Sequence, residues 1–196
     1  MLRKLLQKPE LFSLLYRIDQ DIAKQHRLKA CSYCSGPLHQ ANYKRKPRGG
    51  PDNLPEKYMI RHSLCCGRDG CRRRSLPPSC LFMDRRVYWR VVIFVLMTLR
   101  QKRVRGSSTK KLIKIFKINR KTLFRWKAYF QEVFPYTDRW QTIRGKISAI
   151  LENSSLPADF VHYCIDNAVS PMRGLIHCLE LLTGEDAQLI THNEER

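Results

Sequence analysis

The chain has 196 residues, 43% of them apolar, and a formal net charge of +20. That length and apolar content suit one or two small globular domains with real cores. The charge points to a polyanionic partner (DNA, RNA or a membrane surface) without choosing among them.

The charge is unevenly placed. Residues 1–135 carry 32 basic against 8 acidic residues, a net of +24, whereas residues 136–196 carry 5 against 9, a net of −4. A polyanion-binding front and a tail with a different task are expected. Lys4, Lys8 and Glu10 break the N-terminal apolar positions and no small-residue cleavage site follows, so a secretory signal is not expected. The longest apolar run, 91–97, is far too short to span a bilayer. Paired cysteines without a signal favour a reducing compartment and metal binding over disulfides.

In chain order, residues 2–26 read as an amphipathic helix with a break near Pro9, its apolar face formed by Leu2, Leu5, Leu6, Leu11, Leu14, Leu15, Ile18 and Ile22. Packing on the body or on a second copy is the ordinary use of such a face. Asp19 and Asp21 argue against a membrane-surface role.

Cys31 and Cys34 form a C-x-x-C followed by Gly36, two thiolates on one tight turn. Cys66 and Cys71, with Gly67 and Gly70 between them, form a second, wider pair. Together they predict a four-thiolate structural zinc site, with no open position for catalysis. Cys65 competes with Cys66 as the third ligand. Gly67 favours Cys66, and Cys65 would then point to the opposite side of its strand. Segments 38–46 and 57–64 predict two strands joined by a Pro/Gly loop. His39 and His62 read as surface or packing residues. The module is basic: Lys44, Arg45, Lys46 and Arg48 on its first arm, Arg72, Arg73 and Arg74 after the last cysteine. Phosphate contact is the expectation, and a solvated surface is the plainer alternative.

After Pro77 and Pro78, Asp84 is expected to cap a central buried helix over 85–103, apolar nearly all round. The stretch 107–134 then reads as a helix-turn-helix. Leu112, Ile113 and Phe116 form one apolar face, Ile118 sits in the turn, and Asn119 is the expected N-cap. Leu123, Trp126 and Phe130 form the inner stripe of the second helix, which Pro135 ends. Arg120, Lys121, Thr122, Arg125 and Lys127 face outward, suited to the major groove and its phosphates. Arg105 and Ser108 are expected beside the phosphates. Any helical hairpin gives such apolar spacing, so spacing alone does not decide.

The tail predicts helices over 140–151, 156–168 and 172–182. They either contact a partner or complete the core. Cys80, Cys164 and Cys178 read as packing thiols, and residues 186–196 are expected to fray.

The run INRKTLFRW resembles the turn and recognition helix of many bacterial transposases and small regulators. With CSYCSG and CCGRDGCRRR before it, residues 30–135 resemble small bacterial transposase-like proteins that join a zinc ribbon to a helix-turn-helix and lack the nuclease. The resemblance implies a non-enzymatic, sequence-specific binder of double-stranded DNA in the bacterial cytoplasm, a mobile-element accessory at an element end or recombination site, or a regulatory factor. It implies a mainly α fold with a small β zinc ribbon. The segments are an N-terminal helix (1–28), the ribbon (29–80), the helix-turn-helix domain (84–135) and a helical C-terminal region (136–196) that engages a recombinase, another protein or a second copy. Two alternatives stand beside it: an RNA-binding zinc ribbon, and a minimal transposase or nuclease. The second is disfavoured because the front half clusters no carboxylates for Mg²⁺.

Overall fold

The computed structural model describes residues 1–84, 86–100, 106–147 and 151–184. It is mainly helical, with a small antiparallel sheet and four gathered cysteines. Helix α1 (Leu2–Leu5) stops short of Pro9, which opens α2 (Pro9–Leu28) at its first position. Proline fits there because the amide it lacks would have no helical partner. The shared apolar face turns inward through Leu2, Leu5, Leu6, Leu11, Phe12, Leu15 and Ile22.

The sheet region comprises β1 (Leu38–Gln40), β2 (Tyr43–Lys44), β3 (Ile60–Arg61), β4 (Leu64–Cys66) and β5 (Arg74–Ser75). One sheet runs β1-β4-β5 and a second pairs β2 with β3, every pairing antiparallel. The two arms expected over 38–46 and 57–64 are thus each interrupted. Asn42 accepts the Ser63 amide at the break, and the second arm opens with a 3₁₀ turn, Glu56–Met59.

Helix α3 (Arg90–Arg100) is the centre of the core, with Val91 to Met97 all buried. It starts later than expected. Asp84 has φ 46°, a left-handed conformation, and lies six residues before the helix, too far to cap its first turn. Tyr88 and Trp89 instead form bridges with Arg48 and Phe82, and Val87 is exposed. Those backbone bonds compete with the helix for the same groups. Trp89 sits between Phe12 and Phe82, at centroid distances of 5.3 and 5.4 Å. The Pro/Gly loop reaches this point: a Cβ on Gly50 would lie 2.5 Å from Trp89 Nε1, so only glycine permits the approach.

Helices α4 (Ser107–Ile115) and α5 (Arg120–Ala128) follow, and α5 continues as a π-helical turn over Tyr129–Val133 and a 3₁₀ turn over Phe134–Tyr136. The α-helical part therefore ends before Pro135. Phe130 and Phe134 pack on Phe94 of α3 at 5.0 and 6.1 Å.

In the tail, α6 (Asp138–Lys146) and α7 (Ala158–Asp166) are shorter than their periodicity predicts, while α8 (Pro171–Leu181) has the expected length, one residue earlier. Pro157 precedes α7, holding Leu156 out of it in extended backbone. Leu151 is buried but not helical, and 148–150 lie outside the described residues. Helix α7 lies on both α3 and α8, and α8 also meets α2. One apolar cluster runs from Leu2 to Leu182, taking in Cys80, Cys164 and Cys178. The tail completes the core that the front begins. Residues 186–196, expected to fray, lie outside the described part.

No helix among the described residues is long and apolar enough to cross a membrane.

Candidate metal centre and basic face

Cys31, Cys34, Cys66 and Cys71 bring their sulfurs within 4.8 Å of one another. Two of the separations are 3.4 Å (Cys34–Cys66) and 3.9 Å (Cys31–Cys71). Sulfurs about 2.3 Å from a common tetrahedral ion would lie roughly 3.8 Å apart, so the four suit one metal.

Each knuckle is shaped by its own backbone. In the first, the Ser35 amide donates to Cys31 O and the Cys31 amide to Gly36 O, with Ser35 at φ 57°. A Cβ on Gly36 would sit 3.0 Å from Cys66 Sγ and 2.9 Å from Arg68 Cβ, so glycine is what lets the knuckles close. In the second, the Cys71 amide donates to Arg68 O and the Cys66 amide to Arg73 O, while Gly70 and Arg72 take positive φ. The extra two residues of this loop fit a wider turn around the same point.

The thiols are electrostatically unequal. The Gly36 amide, then the Cys66 and Cys71 thiols, draw the Cys34 thiol down to about 7. The Arg68 amide lowers Cys66, but burial and the neighbouring sulfurs outweigh it and push that thiol up to about 12. Four sulfurs this close cannot all ionise alone, because each thiolate repels the next; a divalent cation removes that conflict. Cys65 lies outside the cluster. Its Sγ points to Arg72 O at 3.3 Å, on the other side of β4. His39 and His62 lie outside it too, and His62 packs against Tyr16.

The basic residues singled out from the sequence sort into three groups. Arg45 is engaged inside the protein: its guanidinium donates to Asp84 O and Arg86 O and lies over the Phe82 ring. This arginine ties the first arm to the chain before α3 and is not free for phosphate. Lys44 pairs with Glu56 at 2.9 Å and Arg72 with Asp69 at 2.8 Å, both at the surface. Lys46, Arg48 and Arg74 are exposed, as is Arg73, whose guanidinium covers the ring of exposed Tyr33 at 3.9 Å.

The third group lies on α4, α5 and their turn. Asn119 caps α5, its side-chain oxygen accepting the Lys121 amide at 2.8 Å. Leu123, Trp126 and Phe130 are buried, and Trp126 meets Tyr88 edge-on at 5.0 Å. Their burial fixes the rotation of α5. Arg120, Lys121 and Arg125 are left in solvent, with Thr122 and Lys127 half-buried. Ser108 is exposed on the first turn of α4; Arg105 lies outside the described residues.

Two residues here had no place in the reading of the sequence. Lys117, at φ 50° in the turn, bonds Asp52 of the Pro/Gly loop at 3.1 Å and so joins the cysteine module to the α4–α5 pair. Phe124 is 39% exposed amid the cations. Its spacing from Arg120 and Lys121 was the available signal. From Arg85 to Gln131 the sequence contains no Asp or Glu, so nothing acidic within the stretch offsets this face.

A third residue matters to the scaffold. Asp19 is 2% exposed, and its carboxylate accepts from the Ser79 hydroxyl and from the Cys80 amide at 2.6 Å. It clamps α2 to the segment that leaves the cysteine module.

No protein-family model, curated protein or solved structure matches the chain.

Proposed function

We propose that the protein is a non-enzymatic, sequence-specific binder of double-stranded DNA. In this reading α4 and α5 act as a helix-turn-helix, and the cysteine module is a zinc ribbon whose cations grip the phosphate backbone. The observation that carries it is the fixed rotation of α5. Three buried side chains lock one face, and the opposite face presents Arg120, Lys121 and Arg125 from an N-capped helix start. A rigid helix with exposed cations at its first turns fits the major groove, where arginine bonds guanine edges and lysine reaches phosphate. Four thiolates with no other donor in the cluster favour zinc over harder divalent ions.

The resemblance to transposase-like proteins favours work at a mobile-element end or a promoter. Tyr136 and Val169, 74% and 97% exposed in the tail, offer apolar contacts to a recombinase or a second copy.

The test is selection from a random duplex library near physiological salt. A sharp motif is expected, and Arg120→Ala and Arg125→Ala should each relax one position of it at a cost of about 1–3 kcal/mol. Salt-sensitive binding with no motif would refute specific readout. RNA binding is the second reading, favoured by exposed Tyr33 among the arginines of the module. Tighter binding of single-stranded or structured RNA than of any duplex at matched salt would establish it instead.

A further inference from the structure

We propose that Phe124 reads thymine, by laying its ring against a C5-methyl group in the major groove. The inference rests on α5 being the groove-reading helix. Helix α5 turns its neighbouring apolar side chains inward, with Leu123 and Trp126 each 2% exposed. Phe124 lies between them in sequence yet stands outside the core cluster, 39% exposed. It is four residues after Arg120 and three after Lys121, which places it on their face of the helix and beside Arg125. A partly exposed ring amid a cationic surface is costly to keep in water, and Phe124 is not part of the core cluster.

The chemistry of the groove narrows what the ring can recognise. A phenyl group has no donor or acceptor, so it gains nothing at guanine O6 and N7, adenine N6 and N7 or cytosine N4. Thymine alone presents an apolar group there. The flanking cations would hold the ring at the base edges while they bond phosphates or guanine.

The experiment uses the full-length, metal-loaded protein and the duplex recovered by selection. Each thymine is replaced in turn by deoxyuridine, which keeps every hydrogen-bonding group and removes only the methyl. At one position the wild-type protein should bind the deoxyuridine duplex about fourfold more weakly, the worth of one buried methyl. Phe124→Ala should bind both duplexes equally, and Phe124→Leu should keep part of the preference. Circular dichroism melts of both variants should match the wild type, because the side chain is outside the core. Equal binding of every deoxyuridine duplex by the wild type would overturn the assignment, as would a methyl preference that survives Phe124→Ala. Selection that yields no motif would remove the DNA reading itself, and the thymine assignment with it. A motif without methyl dependence would remove only the latter.

Discussion

In residues 31–75 the fully or nearly buried apolar side chains are Cys31, Leu54, Tyr58, Leu64 and Cys66, and two of these five are candidate metal ligands. In α3 alone, seven consecutive residues from Val91 to Met97 are buried. The cysteine module has short strands of two or three residues and few apolar contacts, while the helical body has a continuous core. A two- or three-strand unit of this size is marginal without a further tie. The difference teaches what each region has to draw on: one offers four gathered sulfurs able to hold a metal, the other a buried core. The two are also joined at many points: Tyr16 of α2 packs on Tyr58 and His62, the Arg48 backbone bridges Tyr88, Leu54 and Tyr58 belong to the main core cluster, and Asp19, Arg45, Gly50 and Lys117 add further ties.

The largest expected effect breaks the comparison at the metal. Chelation of metal-loaded protein should strip hydrogen-exchange protection from the Cys66 and Gly67 amides, which bond Arg73 O and Pro37 O, and leave Val91–Met97 protected. Cys66→Ser should act the same way, and Cys65→Ser should retain the metal. Loss of protection throughout α3 would mean the two regions fold as one unit.

Next comes the converse. Phe94→Ala removes a ring packed on Phe130 and Phe134 and should cost about 3–5 kcal/mol in a denaturant melt, with metal stoichiometry unchanged.

A comparable effect belongs to the clamp between the regions. Burial raises the Asp19 carboxyl from 3.8 to about 6, against the lowering pull of Ser79, Cys80, Arg61 and Arg90. The folded state therefore holds this proton more tightly than the unfolded chain. Its contribution is fully present at low pH and falls away as pH rises from about 4 to 6, by on the order of 3 kcal/mol. Asp19→Asn should flatten that part of the stability profile, seen as a smaller difference between unfolding midpoints at pH 4.5 and 7. A profile identical to wild type would mean that Asp19 does not titrate in this window.

The smallest effect is at the surface. Lys44→Ala breaks the exposed pair with Glu56 and should leave the melting temperature unchanged, because such pairs are solvated and screened.

Several features could be read from the chain directly because they depend on local spacing. The gathering of Cys31, Cys34, Cys66 and Cys71 follows from two glycine-bearing cysteine pairs. The break at Pro9, the Asn119 cap and the inward stripe of α5 follow from backbone chemistry within one or two turns. The late start of α3 could not be read this way: Tyr88 and Trp89 suit a helix, yet the backbone around them is taken by Arg48, which bonds Val87 O and the Trp89 amide, and by Leu81 O, which accepts the Arg90 amide. Arg45 looked like its basic neighbours until Asp84 and Arg86 brought their carbonyls to it. Asp19 looked like a surface charge on an amphipathic helix until the chain from Ser79 to Leu81 supplied donors sixty residues away.

The sequence by itself determined the helix-rich body, the cysteine set, the charge split and the polar cap of α5, since each rests on residue type and short-range period. Only the tertiary structure decided which cations stay in solvent, where α3 begins and that the tail closes the same core. Those outcomes depend on long-range partners competing for one guanidinium, one carboxylate or one stretch of backbone, and no local pattern records which partner wins.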